Sequence, residues 1–298
     1  MSVFVTGASG WIGSATVDTL LAAGYDVTGL ARSDASAETL KAKGASVIRG
    51  DLDDLDSLRM GSTGADAVIH LANKHDWANP AESNRAERAA VQTICDVLAG
   101  SDRPFLFASG VAGLAQGRPS TEDDPSPFSG PDAPRGGAEN LAFDYVEKGV
   151  KSIALRFSPT THGDGDHGFI AYIVAAARAK GVSGYVGDGS TGWAAVHRSD
   201  AATMIRLGLE TAPAGARLHA VGEESVPTKD IADAIGRGLG LPTASIPSEQ
   251  AQEHFGFIGS FFAMDLSSSS TITQKMLGWN PSGPALLDDL ASGSYFRE

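Results

Sequence analysis

Three short stretches hold residue types able to bind a phosphorylated cofactor. The first is TGASGWIG, residues 6–13. It follows an apolar run at residues 3–6 and opens an amphipathic stretch at residues 12–23, the setting in which a glycine-rich turn cradles a pyrophosphate. Gly7 suits the tight turn, Gly10 lets the backbone approach the phosphates, and Gly13 lets helix and strand pack closely. Ser9, Trp11 and Ile12 lie among them, where helix-start N–H groups attract phosphate charge. An ordinary strand-to-helix turn is the plainer reading of the same glycines.

The second stretch is LARSD, residues 30–34, at the end of the next apolar run. A site for NAD(H) commonly puts an acid there against the ribose hydroxyls. Here Ala31 takes that place, and Arg32 and Ser33 supply a cation and a hydroxyl suited to a 2′-phosphate. That favours NADP(H). In the opposite reading Arg32 is a solvated surface charge and Asp34 turns in toward the ribose. The third stretch is GDLDDLD, residues 50–56, whose Asp51 and Leu52 are placed to flank an adenine ring. A calcium loop is excluded, because the loop glycine and terminal glutamate it needs are missing from their positions.

These stretches need strands and helices to hold them. Short apolar runs at residues 3–6, 26–30, 46–48, 67–71, 105–108 and 152–157 alternate with helix-length segments at 12–23, 35–43, 84–98 and 135–148, the rhythm of βαβ units around a parallel sheet. Residues 116–134, with five prolines, predict an irregular loop. A helix is expected at 168–179. The expected fold is α/β, a doubly wound parallel sheet over residues 1–157, followed by a smaller, mainly substrate-binding region at 158–298 that returns some segments to the first.

The formal net charge of −13 argues against a nucleic-acid partner, which needs clustered cations. Cys95, the single cysteine, excludes an intrachain disulfide. No stretch is long and apolar enough to span a bilayer, and the first residues lack the basic start and apolar core of a secretory signal. A cytoplasmic protein without a membrane partner is expected.

The TGASGWIG turn, the GDLDD turn, the HLAN strand end (70–73) and ALRF (154–157) followed by HGDGD (162–166) together resemble the extended or atypical short-chain dehydrogenase/reductases. HDW (75–77), HGDGDHGF (162–169) and WAAVHRSDAA (193–202) are similar to the subgroup labelled NAD-dependent epimerase/dehydratase or 3β-hydroxysteroid-dehydrogenase-like. The resemblance covers most of the chain. It implies a dinucleotide fold with cofactor contacts at Leu71, Ala72, Asn73 and Pro159 besides those above, a small-molecule substrate, and a homodimer paired through residues 84–98 and 135–148.

The resemblance also exposes a departure. The superfamily's proton-donating tyrosine and the lysine four residues after it fall on Pro131 and Arg135 when the segment is aligned on Ala138 and Glu139. Arg135 can bind ribose or phosphate oxygens, but its guanidinium is no ordinary acid. Tyr145 stands three residues before Lys148, too far along, and reads as core or surface. The hydroxyl after the fifth strand survives as Ser109, either a contact for a substrate carbonyl or a serine satisfying strand-end backbone groups.

A reductase must still deliver a proton. His75, two residues past the HLAN strand end with Asp76 beside it, ranks first as donor; His162 and His197 follow, and each is alternatively a hydrogen-bonded structural histidine. His162, Asp164, Asp166 and His167 hold metal-ligand types, but in a glycine-rich turn they read as caps for backbone groups, and no metal is expected. Trp11, Trp77, Trp193, Phe128, Phe255, Phe257, Phe261 and Phe262 supply pocket walls or core, the last four in a segment able to fold over the cleft. The resulting expectation is an NADP(H)-dependent oxidoreductase acting on a ketone, imine or activated alkene. A non-catalytic cofactor-binding redox sensor and a sugar-nucleotide epimerase or dehydratase are the alternatives.

Overall fold

In the computed structural model, which describes residues 1–297, the alternation of apolar runs and amphipathic segments resolves into a seven-stranded sheet with helices on both faces. In chain order its first six strands are Ser2–Thr6 (β1), Asp26–Ala31 (β2), Ser46–Arg49 (β3), Ala67–His70 (β4), Pro104–Gly110 (β5) and Lys151–Phe157 (β6). Beyond them lie Thr160–His162 (β7), Ser183–Val186 (β8), Gly192–His197 (β9) and Arg217–Ala220 (β10). The sheet runs β10-β6-β5-β4-β1-β2-β3 with every pairing parallel. Val3, Val5, Val68 and Leu106 are fully buried, as a sheet covered on both faces demands. The strand order reverses at β1, and the crevice beyond the carboxyl ends of β1 and β4 is where such sheets receive ligands.

Trp11–Ala22 (α1), Asp34–Lys43 (α2), Leu55–Thr63 (α3) and Pro80–Leu98 (α4) connect these strands. α3 begins inside the acidic string of residues 50–56, where the sequence predicts a turn. The Asp54 carboxylate caps it by accepting from the Ser57 amide at 3.2 Å, so part of that acidity serves helix initiation. The helix expected at 135–148 is shorter than its periodicity suggests. Arg135, Gly136 and Gly137 all have positive φ, the α-helix proper is Ala138–Phe143 (α5), and three-residue turns carry the chain on to Gly149. The left-handed run costs a β-carbon-bearing residue energy, but it delivers the Arg135 amide to the Asn84 side chain at 2.8 Å.

After β6 a second core forms around Trp193, Ile173, Ile235 and Phe262, built from Phe169–Lys180 (α6), Thr228–Leu239 (α8) and short helices between residues 251 and 262. Arg198–Thr211 (α7) and β10 go back to the large sheet: Met204, Ile205 and Leu218 share a core with Val3 and Leu106. Residues 121–133 carry no helix or strand, and the loop is fastened by a bridge from Ser120 to Ser268. No helix of the described residues is long and apolar enough to cross a membrane.

Candidate functional site

The glycine turn stands where the crevice opens. Gly7 has φ +68°, and a β-carbon there would lie 2.7 Å from the Ala72 nitrogen; at Gly13 it would lie 2.0 Å from the Gly7 carbonyl oxygen. These two positions exclude side chains so that α1 can lean on β1 and on the end of β4. Gly10 is the N-cap of α1 and offers no side-chain cap, which leaves first-turn N–H groups free for an anion. Ser9 is exposed and Ile12 half-buried against the core. The Trp11 indole donates to the Thr161 carbonyl at 2.7 Å, and the Arg198 guanidinium lies 4.2 Å over its ring. Pro159, half-buried, stands in the link from β6 to β7.

At the ends of β2 and β3 the chain has collected cations. Ala31 is buried, and the exposed Arg32 has no carboxylate within 4.0 Å among the described residues. Ser33 is committed to α2, accepting from the Ser36 amide at 3.2 Å. Asp34 is held by Arg49 at 3.1 Å, and the other Arg49 nitrogen donates to the Arg32 carbonyl at 3.2 Å. Sequence reading missed Arg49; the signal was the β3 register, which sets it directly opposite Ala31. Asp51 turns its carboxylate to the Asp53 and Asp54 amides, at 2.9 and 3.1 Å. Leu52 is buried in the core that also holds Leu30, with Ala72 packed on it.

Where β4 ends, a buried polar network begins. Thr6 Oγ1 and His70 Nδ1 are 2.8 Å apart, and burial holds the His70 imidazole below the ordinary histidine range. Glu87 of α4, 1% exposed, accepts from Asn73 Nδ2 at 3.1 Å and from the Arg135 guanidinium at 2.7 Å. Its position was legible in hindsight, since Glu87, Val91, Ile94 and Leu98 form one buried helical stripe. Leu71, Ala72 and Asn73 follow directly on β4 and are all half-buried, and Asn73 Oδ1 also accepts from the His75 amide at 2.8 Å. His75 has φ +49° and stacks on Trp77 with 6.2 Å between ring centres. Partial desolvation and then the Arg135 charge hold its imidazole below the ordinary histidine range.

Ser109 behaves differently from a free substrate contact. Its hydroxyl donates to Glu139 Oε2 at 2.6 Å, so its single proton is committed and its lone pairs alone remain to offer. Glu139 in turn holds the fully buried Arg156, at 2.5 and 3.1 Å, and Arg156 reaches His219 Nε2 at 3.3 Å. Sequence reading used Glu139 only as a register mark.

His162 and His197 lie together, their rings 5.5 Å apart and edge-on, but each is tied to its own partner. His162 is buried with Nδ1 2.7 Å from Asp289, and His197 uses Nδ1 on the Ser199 hydroxyl at 2.7 Å. Asp166 caps the Gly168 amide at 2.7 Å and accepts from the Tyr295 hydroxyl. Among the described residues no group of three or more His, Cys, Asp or Glu side chains is gathered for a metal ion. Tyr145 is 4% exposed and bonded to Asp96 and Gln92. A cavity of about 450 Å³ lined by Arg88, Asn140 and Arg217 opens on the flank of α4 and α5; it includes no residue of the glycine turn.

Comparison with known proteins agrees with this architecture. The model of the NAD dependent epimerase/dehydratase family matches residues 3–221. An uncharacterized protein of Schizosaccharomyces pombe is 43% identical over 297 residues, covering 99% of this chain and 100% of its own. A 4-hydroxy-2-methyl-3-oxo-4-farnesyl-3,4-dihydroquinoline-1-oxide ketoreductase of Stigmatella aurantiaca is 32% identical over 190 residues, 60% of this chain and 56% of its own. The solved structure of MoeE5 in complex with UDP-glucose and NAD superposes with a TM-score of 0.74 at 23% identity, covering 99% of this chain and 97% of that one. The glycine turn at the strand-order reversal and the family match over the same strands make this chain a member of the NAD dependent epimerase/dehydratase family, within the extended short-chain dehydrogenase/reductases.

Proposed function

We propose that this protein is an NADP(H)-dependent oxidoreductase that moves hydride to or from a small carbonyl-type substrate, a ketone, imine or activated alkene. The observation that carries it is the pair of guanidinium groups, Arg32 and Arg49, at the strand ends where an NAD(H) site would put an acid. The free first turn of α1 would take the pyrophosphate, Arg32 and Arg49 a 2′-phosphate, and Arg135 with Asn73 the ribose nearest the reaction. The bound cofactor supplies the hydride. The chain's share is to orient the carbonyl and deliver a proton, which His75 does at the crevice mouth, while Ser109, anchored by Glu139, shapes its wall. The ketoreductase named above supports the carbonyl reading. Residues 158–297 form the substrate side of the cleft in this reading. A homodimer through residues 84–98 and 135–148, in the cytoplasm, completes it.

Fluorescence titration with NADPH and NADH, followed by turnover on a carbonyl panel, tests it. NADPH is expected to bind about tenfold or more tighter, Arg32→Ala to erase that preference, and His75→Ala to lose most turnover while keeping NADPH affinity. Tighter NADH binding overturns the cofactor assignment. Tight NADPH binding with no turnover replaces the enzyme by a redox sensor, whose motive is the Pro131 and Arg135 departure.

A further inference from the structure

Aromatic side chains normally finish in a core, yet five of them stop short of it together at the mouth of the cleft. Trp77 comes from the loop after β4, Phe169 and Tyr172 from the start of α6, and Phe257 and Phe261 from the short helices before residue 263. Trp77 meets Phe257 in a near-parallel stack, 5.1 Å between centres at 19°, and touches Phe169 and Phe261 at 6.1 Å each. Tyr172 stands edge-on to Phe257 at 5.0 Å. Below this tier lie the fully buried Trp193 and Phe262, with Phe169 joining the two layers at 6.2 Å. Trp77 and Tyr172 nevertheless remain 44% and 45% exposed, so the chain leaves unused a burial that would stabilise it by a kilocalorie scale per ring.

The tier is continuous with the reacting end. Trp77 stacks on His75, and His75 is hung from Asn73. Lys and Arg make ring contacts elsewhere, on Tyr145, Trp11, Phe143 and Tyr185, and among the described residues none faces these five rings. A half-exposed aromatic cluster without cations suits a flat, uncharged ring and gives a diphosphate nothing to bind. We infer that Trp77, Tyr172 and Phe257 form a ring subsite, and that the substrate is an uncharged aromatic or conjugated carbonyl compound whose ring packs there with its carbonyl toward His75. The substrate half of this inference rests on the oxidoreductase reading; the ring subsite does not.

The test compares acetophenone with 2-octanone, equal in carbon number and different in having a ring. With NADPH, the wild type is expected to favour acetophenone in kcat/KM by roughly tenfold. Trp77→Ala and Phe257→Ala bring the ratio near one, Trp77→Phe keeps most of it, and NADPH affinity is unchanged in all three. An unaltered ratio in both alanine variants, or no preference in the wild type, overturns the inference. Should no ketone be reduced, saturation-transfer NMR of acetophenone on the NADP⁺-loaded protein decides the subsite by itself. A saturable signal lost in Trp77→Ala upholds the ring subsite although the reductase reading has failed. No signal, or binding of UDP-glucose in place of acetophenone, overturns it.

Discussion

Arg32 and Arg49 reach one edge of the sheet from adjacent strands, and the second guanidinium occupies Asp34 at 3.1 Å. Arg49 therefore serves twice in the proposed site, by adding charge and by keeping the nearest carboxylate away from the ribose. A hydrogen bond to a charged group is worth about 1.5–3 kcal/mol, so Arg49→Ala is expected to weaken NADPH at least roughly tenfold and to leave NADH unchanged or improved. Equal loss for both coenzymes in a titration would remove Arg49 from cofactor choice. His75 makes a second prediction at this scale. Its imidazole is held below the ordinary histidine range by desolvation and Arg135, and only the protonated form is a competent acid. Carbonyl reduction should fall as pH rises through a value under about 6.5, while alcohol oxidation, which needs the neutral base, rises over the same window. In His75→Ala the inflection disappears and the rate drops by about 100-fold. An identical pH profile in the variant would move the proton donor elsewhere.

In the proposed site the pyrophosphate falls to α1, whose angle against β1 depends on Gly13. A β-carbon there would sit 2.0 Å from the Gly7 carbonyl oxygen, so the helix must slide or tilt to admit it. Overpacking of this kind costs about 1–3 kcal/mol. Gly13→Ala is expected to lower the thermal midpoint and to weaken NADPH and NADH alike, since the N–H groups aimed at the pyrophosphate move for both. Retention of both affinities, measured by titration, would mean the turn tolerates the shift and α1 is not the seat. α5 shows the opposite case, an element cut short to serve position: the left-handed residues before it place Arg135 against the buried Glu87, which a continuous helix from residue 135 would not have done.

At the scale of the whole molecule, buried charge runs along the β6 and β10 side of the large sheet. Glu139 of α5, Arg156 of β6 and His219 of β10 form one line of contacts, which continues to Ser269 near the C-terminal side. Burial and then the Arg156 charge push the His219 imidazole down to about 4. An unfolded chain takes up that proton near 6.5, so between these values the unfolded state binds more protons and stability rises with pH. The contribution is complete above about 6.5 and is lost as pH falls toward 4, on the order of 3 kcal/mol for the full displacement. Denaturant titrations at pH 7 and pH 4.5 should show this loss in the wild type and a smaller one in His219→Gln; equal losses would place the acid sensitivity elsewhere. Much of the rest was legible in local chemistry. Strand and helix identities at β1 to β6 and α1, the glycine turn, and the absence of an acid at Ala31 follow from periodicity, φ demands and residue type, which are properties of neighbours in sequence. The tertiary structure alone decided that Arg49 donates to the Arg32 carbonyl, that the Ser109 hydroxyl spends its hydrogen bond on Glu139, and that Glu87 joins Asn73 to Arg135. Each of those contacts spans from 14 to 48 residues or depends on strand register, and no local pattern encodes which distant charge a buried polar group will meet.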